Sequence, residues 1–583
     1  MKRGLLIGMG ALLFVGILLI LINFVSAEDY YVSLQGDNAN PGTIQQPWET
    51  IQYAADFVSV GDKVIVLEGD YRNQGRTYLR KSGDENAKII FEGQGKVITK
   101  GFGVFTLQGG PVNYIIIKGF EITDTIEDVI NGPGVIVYGR GNEIKDNKIY
   151  GVFSQGIWLF AQYDGVENPD LDLTSNCIIK NNVIENSGED GIRIYGNNNK
   201  VEGNILKNNK GMGIASLNTG GNEILNNEIY GNDKQGIHLA HSEASVIERN
   251  VVYENCQNYD DCFGIDIIGI GDNNLVKYNE VYSQHDTISD ENVALRYGDS
   301  KFGTGGVRFD GDYNGDLATS TQSLGNKIFM NIIQDEYQGI QIINYWNSEI
   351  YNNVIYNSGI YGVLVMAQPA GGVTKNTKLK NNIVLNAEGF LVYNFGAEEN
   401  EFDYNVYFNS EENFNSNGEI GNFEFWKLKG NDLNSNFGNP LFIDDNFHVN
   451  AESIVIDSGV DVGIEKDFEG NLIPQGILPD VGIYESEGFA QEVCGNGIIE
   501  EGEECEVDNL NGKSCKDFGF DFGELLCVDC VFDFSGCGTG CNEAECSQNV
   551  FKRWWKTWIY SCRDDGRCCV DYWKRGWKTK CLG

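Results

Sequence analysis

Along the middle of the chain one short pattern recurs: a glycine, then Ile, Val or Phe, then a variable residue, then a position that is usually apolar. The copies are Gly134-Val135-Ile136-Val137, Gly156-Ile157-Trp158-Leu159, Gly191-Ile192-Arg193-Ile194, Gly213-Ile214-Ala215-Ser216 and Gly236-Ile237-His238-Leu239. Gly264-Ile265-Asp266-Ile267, Gly306-Val307-Arg308-Phe309, Gly339-Ile340-Gln341-Ile342, Gly362-Val363-Leu364-Val365 and Gly389-Phe390-Leu391-Val392 continue the series. The shortest spacing is 22 residues, and longer spacings contain that unit plus an insertion. Each unit holds two more short alternating segments introduced by Asn, such as Asn222-Glu223-Ile224 and Asn227-Glu228-Ile229-Tyr230. Three short strands per repeat, with side chains alternating in and out, predict an all-β solenoid, a right-handed single-stranded parallel β-helix of about 10–13 coils.

In such a coil the alternate Ile and Val residues stack into a continuous apolar core. Asn at the corners tolerates left-handed backbone and can ladder hydrogen bonds from turn to turn. Residues 47–58, Pro47-Trp48-Glu49-Thr50-Ile51-Gln52-Tyr53-Ala54-Ala55-Asp56-Phe57-Val58, are instead apolar at helical spacing and are expected to cap the open first coil.

Composition supports this picture and narrows the partners. Among 583 residues, 73 Gly against 9 Pro suit many short strands joined by tight turns. With 43 basic and 84 acidic residues the net charge is −41, which repels phosphate backbones and argues against a nucleic-acid partner. Residues 1–27 open with Met1-Lys2-Arg3, run apolar from Gly4 to Val25 and end in Val25-Ser26-Ala27, as a secretory signal does. The run is also long enough to span a bilayer, so an uncleaved membrane anchor is the alternative. Either way the protein is expected to be secreted or at the cell surface, and to work as a monomer.

The solenoid is expected over residues 28–436, with a closing segment at 437–486. Two small cysteine-rich modules follow, at 487–539 and 540–583. The 15 cysteines group as Cys177 alone, Cys256 with Cys262, six between Cys494 and Cys537, and six between Cys541 and Cys581. That grouping predicts disulfides within each group and a buried free thiol at Cys177. Cys527-Val528-Asp529-Cys530 has a spacing that zinc also uses, but an exported chain favours disulfides. The last module is basic, with Trp554, Trp555, Trp558, Trp573 and Trp577, which suits either a glycan-binding surface or a small core.

The variable residue of each repeat should point outward. The repeats then form one exposed column of Ile136, Trp158, Arg193, Ala215, His238, Asp266, Arg308, Gln341, Leu364 and Leu391, with neighbours about 4.8 Å apart. Two positions further along lie Tyr138, Phe160, Tyr195, Leu217, Ala240, Ile268, Asp310, Ile343, Met366 and Tyr393. The largest insertions, after Phe160, between Cys256 and Cys262 and from Ser283 to Gly305, flank this face as groove walls. Aromatic rings lie against sugar faces and Arg forks pair with carboxylates, so the face suits an acidic polysaccharide or a cell-surface glycan. Trp158, Phe160, Arg193, Tyr195, Gln341 and Asp310 are the candidate substrate contacts, and His238, Asp266 and Arg308 the candidate catalytic group. The competing reading is a solvated sheet face with no ligand.

Several segments resemble known families. Tyr30-Tyr31-Val32-Ser33 through Asp37, Asn40-Pro41-Gly42-Thr43 and Gly61-Asp62-Lys63-Val64 resemble the opening of pectate-lyase-like β-helix proteins. Asn439-Pro440-Leu441-Phe442 to Asp480-Val481-Gly482-Ile483-Tyr484-Glu485 resembles their closing segment. That superfamily contains lyases, epimerases, hydrolases and inert adhesins, so the resemblance implies a fold rather than a reaction. Gly305-Gly306-Val307-Arg308-Phe309-Asp310-Gly311 is similar to the run that carries the catalytic base of family 9 polysaccharide lyases, with Arg308 where that family has Lys. Asn258-Tyr259-Asp260-Asp261-Cys262-Phe263-Gly264-Ile265-Asp266 resembles the family's calcium-binding run, with Cys262 and Phe263 inserted and Gln235 in place of an Asp one coil earlier. The resemblance implies Ca²⁺ held by Asp266, Asp260 and Asp261. Cys494-Gly495-Asn496-Gly497-Ile498-Ile499-Glu500-Glu501-Gly502-Glu503-Glu504-Cys505 resembles a cysteine-rich repeat of extracellular proteins.

The chemistry implied is β-elimination on a uronate: a cation neutralises the sugar carboxylate, C5–H becomes acidic, and a basic side chain removes it. Arg308 is a weak base by its ordinary pKa, so His238 is the alternative. A hydrolase would need paired carboxylates, for which Asp266, Asp310 and Asp190 are available. The expectation is therefore a lyase acting on a uronic-acid glycan, with a non-catalytic carbohydrate-binding or adhesion protein as the rival. One open cleft shared by Arg308, His238 and Asp266 would favour the enzyme, and a filled one the adhesin.

Overall fold

A computed structural model describes residues 27–583 apart from 129, 131, 162–170, 259–260, 285–303, 312–322, 368–371, 487–498, 500–503, 507–508, 529, 540–557, 563–567, 574–575 and 582–583. The expected export segment therefore lies, but for Ala27, outside the described residues. Among the described residues no helix is long and apolar enough to cross a membrane.

The chain up to Ser486 is a right-handed parallel β-helix in which 38 short strands join one continuous sheet. Successive coils pair strand on strand in parallel: Ile237–Ala240 lies between Ile214–Leu217 of the coil before and Phe263–Ile268 of the coil after. Side chains alternate as the repeat requires. Ile192, Ile194, Ile214, Ile237, Leu239, Ile265 and Ile267 are all buried in one core that runs the length of the solenoid. The repeat glycine is needed because the turn into each strand runs tight against the next coil. A Cβ on Gly213 would sit 2.5 Å from the carbonyl oxygen of Gly236 and 2.4 Å from Ile229. At the N-terminal end the expected helix forms over Ile51–Phe57, N-capped by the Thr50 hydroxyl, which accepts from the Tyr53 amide at 3.2 Å. Its buried Ile51, Ala54 and Ala55, with Trp48, belong to the main core.

The corner asparagines divide two tasks between neighbours. In Asn226-Asn227 the first is exposed with φ +54°, and the second is fully buried. Asn227 donates to the Val201 carbonyl and to Asn250 Oδ1, and accepts from both the amide and the side chain of Asn204. The ladder runs through Asn147, Asn182, Asn204, Asn227, Asn250, Asn279, Asn331, Asn353, Asn382 and Asn405. A second ladder passes from Asn209, Asn232 and Asn255 to Gln284 and then Glu336. Among the described residues no cation lies beside buried Glu336, and burial pushes its carboxyl well above the usual range.

The closing segment lays Phe447, Val455, Val481 and Ile483 against Met330, Val354 and Val406 on the outer side of the coils. Burial there pushes Asp480 up to about 6 and Glu485 up to about 7, from ordinary values of 3.8 and 4.5. A carboxyl with a raised folded pKa binds its proton more tightly in the folded state. Its contribution to stability is complete below the ordinary value and is lost as pH rises through the folded one. Thermal melts should therefore show the solenoid losing stability between about pH 4 and pH 7 on this account. Glu485→Gln should flatten the upper part of that slope, and an unchanged profile would contradict the assignment.

The cysteines of the solenoid behave as expected. Cys256 and Cys262 are disulfide-bonded, and Cys177 is a buried free thiol, pushed up to about 12 by burial. The second unit, Glu487–Gly583, is small and disulfide-linked. Cys505 pairs with Cys527, Cys515 with Cys537 and Cys569 with Cys581, and Cys530 is also disulfide-bonded. The Cys527-to-Cys530 spacing therefore serves disulfides and not zinc. A three-stranded antiparallel sheet, Trp558–Cys562, Cys568–Trp573 and Trp577–Cys581, ends the unit, with Trp577 60% exposed.

Candidate functional site

Strand register assembles the expected column, because parallel pairing puts the variable residue of each repeat directly above the one before it. Ile136, Trp158, Arg193, Ala215, His238, Asp266, Arg308, Gln341 and Leu364 follow one another rung by rung. The last predicted member does not belong. Leu364 pairs with Tyr393, and Leu391 is buried in the main core. The tight approach that needs glycine in earlier coils is made here between Gly362 and the Leu391 carbonyl, so the chain enters the strand two residues later than the Gly389 motif suggests. Tyr393 thus moves into the first column, and Phe395 follows Met366 in the second.

The column is not the exposed face the alternation predicts. Asp266 is 0% exposed, Ala215 and Gln341 1%, Arg308 3% and Leu364 0%. Two physical causes are visible. Toward the C-terminal end Ile343, Leu364 and Met366 form an apolar layer of their own with Tyr361, Tyr393 and Phe395. In the middle Arg308 does not reach out but lies across the neighbouring rung. Its Nε and Nη2 donate to Asp266 at 2.8 and 3.1 Å, and its Nη1 to Asp261 at 2.6 Å. Asp310 is 3.9 Å from Nη1, and the guanidinium stacks 4.6 Å from the Phe263 ring. The Cys256–Cys262 disulfide closes the short loop that carries Asp261.

Burial alone would lower the Arg308 pKa, but Asp261 and Asp266 hold it well above its ordinary value. Arg308 is thus held as a cation between two carboxylates, which works against its serving as the base. Burial alone would raise Asp266, yet Arg308 and the hydrogen bond with His238 hold its carboxyl well below the usual carboxylate range. His238 Nδ1 lies 3.1 Å from Asp266 Oδ2, and Gln235 Nε2 approaches the same oxygen at 3.4 Å. With 8% of its surface exposed, His238 is the most accessible of the three candidate catalytic residues. Asp266 and Arg308 occupy the next two rungs of the column.

Two of the three residues expected to hold calcium are described. Asp260 lies outside the described residues, while the carboxylates of Asp261 and Asp266 already face the Arg308 cation. Among the described residues no group of three or more His, Cys, Asp or Glu side chains is placed to hold a metal.

The accessible part of the face lies toward the N-terminal end. Glu127, Asp128, Phe153, Gln155, Trp158, Glu189 and Arg193 line an open cleft of about 430 Å³. Trp158 meets Phe160 edge to face at 4.9 Å, and Phe160 meets Tyr138 at 6.2 Å. Arg193 Nε donates to Asp190 at 2.6 Å and its Nη1 is 3.3 Å from Glu189, so both flanks of this guanidinium are also occupied. Tyr195 follows Arg193 two positions on and is half-buried. Two of the flanking insertions, 162–170 and 285–303, lie outside the described residues.

The sequence offers Asp190 and Gln235 singly, and the structure shows that with Gln338 they form a row three residues before the column. It places Asp190 beside Arg193, Gln235 beside Asp266 and Gln338 beside Gln341. The constant offset from the repeat glycine was its signal.

Comparison with known proteins agrees on the fold. The family profile described as "Right handed beta helix region" matches residues 84–224 and 133–312. An uncharacterised protein of Bacillus subtilis (strain 168), YwoF, is 24% identical over 457 residues, 72% of this chain and 90% of its own. Among solved structures, XylC in complex with xylose has a TM-score of 0.47 at 11% identity, over 78% of this chain and 98% of its own. Pectate lyase Pel9A has a TM-score of 0.40 at 15% identity, over 79% and 96%. At these identities an activity does not follow from the shared solenoid.

Proposed function

We propose that this protein works outside the cell as a polysaccharide-binding β-helix, with a glycan anchored in the Trp158 cleft and continuing along the column toward His238. The observation that carries this reading is the contrast along one face: an open, aromatic and charged cleft at Trp158, and a closed centre in which Arg308 is paired with Asp261 and Asp266. Disulfides at Cys256–Cys262 and through the second unit fit an oxidising compartment.

A catalytic reading is favoured by one separate observation, the Asp266–His238 pair. A carboxylate kept ionised by Arg308 and facing Nδ1 fixes the imidazole tautomer and leaves the Nε2 lone pair for a proton. In a lyase reaction Nε2 would remove C5–H of a uronate as the leaving oxygen departs from C4. Arg308 already faces carboxylates of the protein, so it does not neutralise the sugar carboxylate in that reaction.

Binding and turnover separate these readings. Purified protein is screened on a glycan array, then incubated with a panel of uronic-acid and neutral polymers while the ultraviolet absorbance of unsaturated uronate and the release of reducing ends are followed. Binding without product is expected from the first reading. Product formation that His238→Ala reduces by about 100-fold or more, with binding retained, would establish the second. Neither binding nor product would contradict both.

A further inference from the structure

We infer that the glycan taken by this face carries hydroxyl or amino groups and no carboxylate, sulfate or phosphate; this rests on the reading of the face as a glycan-binding site and is incompatible with the uronate lyase reading. Charge is the first ground. The two cations of the column are both occupied by the protein's own carboxylates: Arg193 by Asp190 and Glu189, Arg308 by Asp261 and Asp266. Glu127 and Asp128 add two more carboxylates to the cleft, and Asp310 one more to the centre. Each part of the face thus holds more carboxylates than guanidinium groups, in a chain whose net charge is −41. Among the described residues of the column, a polyanion would meet only guanidinium groups that already face carboxylates of the protein.

Hydrogen bonding supplies an independent ground. Gln235 and Gln341 are 4% and 1% exposed, and the Oε1 of each is buried without a partner. Their orientation is set by the other end of the amide, since Gln235 Nε2 faces Asp266 and Gln341 Nε2 donates to Gln338 at 2.9 Å. Buried acceptors of this kind call for donors. In the cleft the Trp158 indole N–H is likewise buried and unpartnered. A hydroxyl donates to the first pair and accepts from the indole, and an ammonium or amide N–H also serves the glutamines. A carboxylate or sulfate only accepts, so an acidic group placed against either glutamine would leave that oxygen unmet.

The test is titration calorimetry of the full chain with three probes at low and high salt: cello- and xylo-oligosaccharides as neutral glycans, chitosan oligomers as amino glycans, and oligogalacturonate with oligomannuronate as anionic ones. Neutral or amino probes should bind at least about tenfold more tightly than anionic ones at low salt. Salt should weaken an amino ligand and leave a neutral one nearly unchanged, which tells the two sources apart. Glu189→Gln with Asp128→Asn should narrow the gap against the anionic probes several-fold. Anionic probes that bind as tightly as the others would overturn the inference while leaving the face a glycan site. Binding by none of the three would overturn the glycan reading itself.

Discussion

Replacing Arg308 with methionine is expected to destabilise the solenoid by about 3–5 kcal/mol, the usual result of leaving a buried carboxylate without its cation. Asp266 is fully buried and has Arg308 on both of its oxygens, so no solvent can take over the charge. The loss should appear as a lower denaturant midpoint and a lower melting temperature. Asp266→Asn combined with Arg308→Met should recover much of it, because removing both charges removes the unpaired one. A single mutant as stable as the parent would mean that the pair is solvated, and the description of the centre as closed would fail.

The second large effect is expected at a corner. Asn227→Leu removes two donated and two accepted hydrogen bonds and strands the Asn204 amide inside the coil. A cost of about 2–4 kcal/mol follows, since a buried polar group left unpaired loses its full solvation. Its neighbour provides the control. Asn226 is exposed at φ +54°, so Asn226→Gly should cost little and Asn226→Ala about 1 kcal/mol for the left-handed backbone. Equal effects at the two positions would contradict the division of labour between them. Both variants should be read by denaturant titration with the solenoid intact in the parent, because a long repeat array need not unfold in one step.

These two sites also show what could be read in advance. The solenoid was legible because Ile and Val alternate strictly enough that parallel register has only one way to bury them, and nine of the ten predicted column residues stack as the repeat dictates. Leu391 was misplaced because Gly389 imitates the repeat glycine while the close approach passes to Leu391. Exposure was misjudged for a different reason. A position that points away from the core is not thereby in water when its neighbours stand about 4.8 Å above and below and a long side chain can fold onto them. Arg308 does so, which turned an expected base into an internal cation and two expected calcium ligands, Asp261 and Asp266, into its partners. No periodicity in a single chain reports that turn of a guanidinium. The charge pattern around it, three aspartates to one arginine, was present in the sequence and pointed to calcium only through resemblance.

The most direct test of the central claim compares the unmodified protein with Trp158→Ala in titration against the glycan that the array selects. If the cleft anchors the chain, affinity should fall about tenfold or more while the melting temperature stays unchanged, since Trp158 lies on the outer face rather than in the main core. Equal binding by the two proteins would place the glycan elsewhere and contradict the account.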